Sequence, residues 1–266
     1  MNRIDQRFAD LRAAGQKGFV AYIGAGDPNL EATENIAVAL DAAGVDVLEL
    51  GVPFSDPLAD GLVNQLAAQR GLASGTTPAK LLDSVANIRK RSQVPIVLYI
   101  YYNLIHRHGL AEFINVAAEA GVDGMLALDL PPEEADEYET LMRDAGLCSI
   151  WLVAPTTPEE RIAAITARGN GFIYYISREG VTGMQQNVAA NMEEATAVIR
   201  KHTKLPIAVG FGISNPEQAR QVAACSDAVV VGSAIVNQIA EHGAETNLPE
   251  RVGAFVKTLV DAIKKN

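Results

Sequence analysis

The stretch Asp41-Ala42-Ala43-Gly44-Val45-Asp46-Val47-Leu48-Glu49-Leu50-Gly51 ends a helix and begins a buried strand. Gly44 follows the last helical alanines, where a left-handed C-cap favours glycine. The residues after Asp46 form a short apolar run. The same order returns at Glu119-Ala120-Gly121-Val122-Asp123-Gly124 and at Asp144-Ala145-Gly146-Leu147. This repeated passage from helix to strand indicates a chain of alternating α and β units.

Short apolar runs of this kind predict eight strands along the chain. Most are continuously apolar and not alternating, which is typical of parallel strands covered by helices on both faces. About 20 to 50 residues separate successive runs, which leaves room for a helix each time. The predicted strands are Phe19–Ile23, Val47–Leu50, Ile96–Tyr101, Met125–Leu128, Ser149–Val153, Phe172–Ile176, Ile207–Val209 and Ala228–Val231.

The intervening segments have helical patterns. Leu30–Ala43 places apolar residues on one face, and Thr77 followed by Pro78 predicts the start of a helix over Ala79–Arg91. Ile4–Ala14 predicts an extra N-terminal helix. Eight βα units in about 250 residues, without a linker, predict a single (β/α)₈ TIM barrel that spans residues 1–266 as one domain. A doubly wound sheet is the alternative.

Composition limits the classes of partner. Among 266 residues, 22 Lys+Arg oppose 32 Asp+Glu, which gives a formal net charge of −10. This balance argues against a nucleic-acid partner, because such proteins rely on basic surfaces. No apolar run approaches the roughly 18 residues that cross a bilayer. The first fifteen residues lack the apolar core of a signal peptide. We therefore expect a cytoplasmic protein that does not enter membranes.

Glu49 is the most informative candidate for chemistry. It interrupts an otherwise aliphatic strand, and strand alternation places it on the opposite face from Leu48 and Leu50. Glutamate is rarely buried unless it is paired or used in function. We therefore expect Glu49 to face the barrel mouth with a raised pKa suited to proton transfer, and not to be a solvated or salt-bridged strand end.

Loops at the carboxyl ends of the strands carry the other candidates. The loop Gly51–Gly61 holds Asp56 and Asp60 among prolines and apolar residues, although each aspartate also fits an ordinary turn. Glycine-bearing loops follow three late strands, where barrels often bind phosphate at a helix N-terminus. These loops are Gly180–Gly183, Gly210–Ser214 and Gly232–Ile235. No metal-ligand spacing is present, so no metal is expected.

The ordered motifs along the whole chain resemble the tryptophan synthase α subunit family. The most specific segment is Glu49–Gly61. It is supported by Gly26-Asp27-Pro28, Tyr102-Asn103, Asp129-Leu130-Pro131, Ala154-Pro155-Thr156-Thr157, Ser177–Gly183, Gly210–Ser214 and Gly232–Val236. The resemblance implies reversible retro-aldol cleavage of indole-3-glycerol phosphate into indole and glyceraldehyde 3-phosphate, without a metal or organic cofactor.

Roles for individual residues follow from the resemblance. Glu49 is the implied general acid and base, Asp60 holds the indole N–H, and Tyr174 lies near the scissile bond. Thr182 belongs to the implied loop that closes over the site. The implied phosphate-binding residues are Gly183, Gly212, Gly232 and Ser233, and the implied indole wall comprises Tyr22, Ile100, Leu126 and Leu152.

The resemblance also implies a partner, the pyridoxal-phosphate β subunit of an α₂β₂ complex, which holds that cofactor itself and receives indole. The residues implied to face it are Pro53, Phe54, Asp56 and Asn103. Several positions depart from the usual family pattern: Ala21, Gly24, Leu62, Asn64 and Tyr99. Of these, Gly24 and Tyr99 bear on the pocket, and Leu62 bears on the loop that presents Asp60.

Three other readings remain open. The chain could release indole as a stand-alone lyase, or it could be a non-catalytic barrel that activates a β subunit. Another phosphate-binding barrel enzyme would share the late glycine loops but would not need Glu49–Gly61.

Overall fold

A computed structural model describes residues 1–176, 185–210 and 212–264. Within these ranges one parallel sheet is surrounded by helices. Its strands are β1 (Gly18–Gly24), β2 (Val47–Gly51), β3 (Ile96–Ile100), β4 (Gly124–Ala127), β5 (Cys148–Ser149), β6 (Trp151–Val153), β7 (Ile173–Ile176), β8 (Ile207–Gly210) and β9 (Ala228–Val231). The helices are α1 (Arg3–Ala13), α2 (Leu30–Ala43), α3 (Leu62–Ala73), α4 (Pro78–Arg89), α5 (Tyr102–His108), α6 (Leu110–Ala120), α7 (Asp136–Asp144), α8 (Glu159–Arg168), α9 (Gln185–His202), α10 (Pro216–Cys225), α11 (Ser233–His242) and α12 (Leu248–Lys264).

The sheet closes on itself. Its strand order is β5-β4-β3-β2-β1-β9-β8-β7-β6, and all pairings are parallel. β5 and β6 flank Ile150 and are two halves of the strand predicted at Ser149–Val153, so the two ends of the order meet there. The predicted (β/α)₈ barrel is therefore confirmed, and the doubly wound alternative is wrong.

Local signals in the sequence account for the helix ends. The Asn29 side chain accepts a hydrogen bond from the Ala32 N–H at the start of α2. Thr77 caps α4 in the same way, with Pro78 in the first turn as predicted. Gly44 and Gly121 adopt the left-handed conformation, at φ 94° and 99°, and end α2 and α6. The glycine of the repeated Ala-Gly sequence is thus favoured by the left-handed backbone at these helix ends.

Successive residues on each strand alternate between two cores. Leu48 and Leu50 pack in the layer between sheet and helices. Val47 instead lies inside the barrel with Val97 and Phe172. The predicted continuity of the apolar runs is explained by this double burial, because both faces of every strand are covered.

Helix α1 closes the amino end of the barrel. Its Phe8 ring lies 5.5 Å from the Phe172 ring inside the barrel, between centroids. Arg7 forms a 2.7 Å ion pair with the fully buried Asp46 at the start of β2. The predicted N-terminal helix is confirmed, and it covers the amino end of the barrel interior.

Two further features concern the described part of the chain. None of its helices is long and apolar enough to cross a membrane. Within the same ranges, no three histidine, cysteine or acidic side chains gather as a metal site would require.

Candidate active site

Glu49 lies inside the barrel at the middle of β2. Its side chain is 0% exposed, and its neighbours Leu48 and Leu50 pack in the outer core. Neither carboxyl oxygen has a hydrogen-bond partner among the residues that the structure describes. Burial raises the pKa of Glu49 from 4.5 to about 8. At neutral pH the side chain is therefore mainly a carboxylic acid that holds a proton free of structural bonds.

Tyr22 and Tyr174 stand beside this carboxyl group. Tyr22 is the register partner of Glu49 across β1 and β2. Burial raises the pKa of Tyr22, and the charges of Asp60 and Glu49 raise it further. Burial and the charge of Glu49 also raise the pKa of Tyr174. Both phenols stay neutral near physiological pH, and Tyr22 lies between the two carboxyl groups.

Three glycines leave room for these tyrosine side chains. A Cβ atom on Gly51 would overlap the Tyr22 hydroxyl, and one on Gly210 would lie 2.8 Å from the Tyr174 hydroxyl. A Cβ on Gly232 would lie 3.4 Å from the Tyr22 Cβ. The sequence singled out Gly210 and Gly232 as loop glycines, whereas the structure adds that they allow the aromatic side chains to pack at the barrel mouth.

Asp60 is held by two tyrosine hydroxyls from β3 and its carboxyl end. The Tyr99 hydroxyl donates to Oδ1 and the Tyr101 hydroxyl donates to Oδ2, each at 2.9 Å. Burial raises the pKa of Asp60, while hydrogen bonds from Tyr101, Tyr99 and Asn64 oppose the rise. The carboxylate is thus aimed into the mouth by a fixed set of donors.

The sequence did not predict that these two tyrosines hold Asp60. Their spacing of two residues on a strand was the available signal, because it places Tyr99 and Tyr101 on one face. Tyr101 also fastens the loop, since its hydroxyl accepts a 2.9 Å hydrogen bond from the Ala59 N–H.

An ion pair joins the loop after β1 to helix α3. Arg70 of α3 donates two 2.7 Å hydrogen bonds to the carboxylate of Asp27, which is 1% exposed. A Cβ on Gly24 would lie 3.0 Å from the Ala67 Cβ, so Gly24 lets α3 approach β1 closely. No signal in the sequence predicted the Asp27–Arg70 pair, because 43 residues separate its members.

The residues of the indole wall implied by the resemblance divide between the two cores. Leu126 and Leu152 lie in the interior cluster, together with Tyr99 and Tyr174. Ile100 does not line the interior, because it packs with Leu98 in the core between sheet and helices. This corrects the predicted wall. Strand alternation turns Ile100 outward and turns its neighbour Tyr99 inward.

The predicted phosphate-binding residues lie at the carboxyl ends of the strands, as far as they are described. Gly212 follows β8, with φ of 61°, and no atom lies within 4 Å of the position of a Cβ. Gly232 follows β9, and the exposed Ser233 begins α11. Thr182 and Gly183 lie outside the described residues.

The residues expected to face a partner differ in exposure. Asp56 and Asn103 are exposed, and Phe54 is half-buried with its ring 5.1 Å from the Tyr101 ring. Pro53 is buried, since it packs against α3 at Gly71. The adjoining surface is apolar instead at Leu58 and Leu62, which are 91% and 69% exposed.

Comparisons with known proteins agree with this geometry. The family model of the tryptophan synthase alpha chain matches residues 8–264. The tryptophan synthase alpha chain of Opitutus terrae is 55% identical over 266 residues, which is all of both chains. That of Geotalea daltonii is 47% identical over 264 residues, 99% of this chain and 98% of its own.

Solved structures give the same result. Tryptophan synthase subunit alpha from Legionella pneumophila superposes with a TM-score of 0.91 at 40% identity, over 99% of this chain and 98% of its own. A chain of tryptophan synthase from Mycobacterium tuberculosis superposes with a TM-score of 0.89 at 30% identity, over 99% of this chain and 100% of its own. The chain belongs to the tryptophan synthase alpha chain family, and it is a lyase that cleaves indole-3-glycerol phosphate to indole and glyceraldehyde 3-phosphate.

Proposed function

We propose that Glu49 and Asp60 carry the cleavage reaction, with Glu49 moving the proton and Asp60 holding the indole ring. The observation that carries this assignment is the buried Glu49 carboxyl group, which has no hydrogen-bond partner in the described parts of the chain. A buried acid without a structural partner destabilises the fold, so its presence calls for another explanation. Proton transfer at neutral pH provides that explanation, because the pKa is about 8.

Glu49 performs two proton transfers in this mechanism. Its carboxylic acid protonates C3 of the indole, which leaves the positive charge on the ring nitrogen. The resulting carboxylate then takes the proton of the side-chain hydroxyl next to the scissile bond. The O–H electron pair forms the aldehyde carbonyl, and the electrons of the broken C–C bond restore the aromatic ring. Glu49 ends the cycle protonated, so no outside acid or base is consumed.

Asp60 stabilises the charge that this sequence creates. The protonated ring carries its positive charge at the N–H, and Asp60 accepts a hydrogen bond from that group. Tyr99 and Tyr101 already hold the carboxylate in place. A preorganised negative charge in a half-buried site stabilises a cation without reorganisation during the reaction. Tyr22 supplies a neutral wall between the two acids, and the neutral Tyr174 stands beside Glu49.

The phosphate group of the substrate is proposed to bind at Gly212, Gly232 and Ser233, together with Gly183. Ser233 begins α11, whose N-terminal N–H groups and dipole favour an anion. Since Gly232 packs beside Tyr22, this anion site adjoins the Glu49 pocket. Thr182 is proposed to belong to a loop that closes the site. The substrate thus spans from the α11 N-terminus to Asp60. We also propose that residues 1–266 act as one domain.

A β subunit is the proposed partner, in an α₂β₂ arrangement, and pyridoxal phosphate is proposed to reside there and not in this chain. The supporting feature is the apolar surface at Leu58 and Leu62, beside the half-buried Phe54. Exposed leucines of this size are typical of surfaces that another protein covers. Phe54 contacts Tyr101, and the Tyr101 hydroxyl donates a hydrogen bond to Asp60. A partner that moves Phe54 therefore also moves the catalytic carboxylate.

The deciding experiment measures glyceraldehyde 3-phosphate release from indole-3-glycerol phosphate by the purified chain, alone and with a tryptophan synthase β subunit. We expect slow turnover alone and a sharp rise when the β subunit is added. Fast turnover alone would instead establish a stand-alone lyase. If neither mixture turns over the substrate, Glu49 and Asp60 do not have these roles.

A further inference from the structure

The two hydroxyls that hold Asp60 are not equivalent. The Tyr101 hydroxyl donates to Oδ2 and also accepts from the Ala59 N–H, so it joins the carboxylate to its own loop. The hydroxyl of Tyr99 bonds only the carboxylate, at Oδ1, among its described contacts. The hydrogen bond from the Ala59 N–H holds Tyr101 in place when a ligand binds. The Tyr99 hydroxyl has one hydrogen bond, to Asp60, and a ligand can replace it.

The Tyr99 ring lies in the interior cluster with Leu126 and Leu152, two residues of the proposed indole wall. It points into the barrel and meets the Tyr22 ring edge to face, with the centroids 5.0 Å apart. A cavity of about 10 Å³ lies where Tyr22, Asp60, Tyr99 and Tyr101 meet the loop after β2 at Pro53, Phe54 and Pro57. That volume holds about one water molecule. An indole N–H that reaches Asp60 Oδ1 therefore meets the Tyr99 hydroxyl already bound there.

We propose that Tyr99 is an internal stand-in for the substrate, whose hydroxyl occupies Asp60 Oδ1 until the indole N–H replaces it. The proposal rests on the function proposed above, in which Asp60 accepts the indole N–H. Both groups are neutral donors attached to an aromatic ring, so one can replace the other on the same oxygen. Tyr99 is thus a specificity-determining residue. Ligands that bring both an aromatic ring and a donor can replace its hydroxyl on Asp60, and those that lack either leave that hydrogen bond in place.

This arrangement also keeps Asp60 ready in the empty site. Burial favours the protonated form of Asp60, and the hydrogen bonds from Tyr101 and Tyr99 counteract that effect. The groups that face the carboxylate are Tyr99 and Tyr101 of the β3 side, Tyr22 of β1 and Asn64 of α3. Exchange of one donor for another keeps a hydrogen bond on Asp60 Oδ1 throughout the binding step.

The test compares the binding of indole with the binding of glycerol 3-phosphate, using the full chain in isothermal titration calorimetry. Tyr99→Phe removes one hydroxyl and keeps the ring. Because indole no longer has to break the bond from Tyr99 to Asp60, we expect its affinity to increase about threefold or more. Glycerol 3-phosphate serves as the matched ligand, since it reaches only the phosphate end, and its affinity should not change.

Two further variants separate exchange from general loosening of the pocket. Tyr101→Phe should weaken indole binding, because it frees the Asp60 loop. In an Asp60→Asn background, the gain from Tyr99→Phe should shrink, since the charged acceptor that both donors share is gone. Equal indole affinity in the parent and Tyr99→Phe would overturn the inference, as would an equal gain in both backgrounds.

The result is distinguishable from failure of the proposed function. If the parent chain cleaves indole-3-glycerol phosphate but Tyr99→Phe leaves indole binding unchanged, only the stand-in role is wrong. If the parent chain neither cleaves the substrate nor binds indole, the proposed function fails as well, and the role of Tyr99 fails with it.

Discussion

Tyr22 and Glu49 are register partners on the adjacent strands β1 and β2, and both side chains point into the barrel. In a parallel pair, partnered residues present their side chains side by side on the same face. The Tyr22 hydroxyl makes no hydrogen bond to Glu49, whose two carboxyl oxygens lack partners across the described ranges. The site therefore places a neutral aromatic wall beside an acid whose proton is free to move.

Glu49→Gln should abolish cleavage while it leaves the fold intact. The amide matches the carboxyl group in size but cannot exchange a proton with carbon or with a hydroxyl at neutral pH. We expect at least a thousandfold loss of kcat, by analogy with the contribution of about 10² to 10⁴ from general acid–base groups. Glycerol 3-phosphate should bind as it does to the parent. Glu31→Gln, at an exposed position of α2, is the control and should retain the parental rate. Near-normal turnover in Glu49→Gln would remove Glu49 from the mechanism.

Asp60→Asn should slow cleavage strongly, because the neutral amide cannot stabilise the cation on the ring. We expect a decrease of about a hundredfold or more in kcat/KM, in the range for loss of a preorganised electrostatic contact. Steady-state assays of aldehyde release measure this decrease. Asp83→Asn on the surface of α4 removes the same charge at an exposed site and is the matched control. A rate within a few-fold of the parent would show that the Asp60 charge is not used.

The rate should depend on pH through both acids. Glu49 must be protonated to act on C3, so kcat/KM should fall as the pH rises past about 8, the pKa of Glu49. Asp60 must be ionised, and its pKa lies above the usual value, so a second decline is expected on the acid side. Tyr22, Tyr99 and Tyr174 do not titrate in this window, because burial raises their pKa values. A profile that stays flat well above pH 8 would contradict the role of Glu49. If the decline at low pH disappears in Asp60→Asn, protonation of Asp60 causes that decline.

The free energy of unfolding should also depend on pH through Glu49. The pKa of Glu49 is about 8 in the folded chain and 4.5 as a reference. The folded state therefore retains a proton that the unfolded state loses, and stability decreases as the pH rises from 4.5 through about 8. Glu49→Gln removes this dependence, so its free energy of unfolding should exceed that of the parent at pH 8.5 by as much as about 5 kcal/mol.

Urea unfolding of the two proteins at pH 5 and pH 8.5 measures that difference. The gap should be small at pH 5 and should widen at pH 8.5, while Glu31→Gln, on the surface, should follow the parent at both values. An equal gap at both pH values would show that the buried carboxyl group does not have a raised pKa.

Much of the architecture was predictable from the chain alone. Glycines such as Gly44 and Gly121 mark helix ends, since a left-handed turn favours them regardless of context. Strands with apolar residues at every position predict burial on both faces, and their number predicts the barrel. The unusual Glu49 within such a strand was also visible, because a carboxylate among aliphatic residues contradicts the local pattern.

The contacts within the site join residues that are far apart in the sequence, so no local pattern predicts them. The hydrogen bonds of Tyr99 and Tyr101 to Asp60 join residues 39 and 41 positions apart, and the Asp27–Arg70 pair spans 43. Ile100 and Tyr99 are both apolar enough for an indole wall, and only the register of β3 turns one inward and the other outward. Pro53 belongs to an exposed type of loop, yet α3 covers it.

By itself, the sequence determined the order of strands and helices, the barrel that they form and the strand on which the acid lies, because these follow from local backbone preferences and from periodic burial. The tertiary structure alone decided which side chains share the mouth of the barrel, how Asp60 is held, and that the Tyr99 hydroxyl occupies Asp60 Oδ1. Closure of the sheet brings together strand ends that are distant along the chain, and contacts between them obey three-dimensional packing instead of sequence spacing.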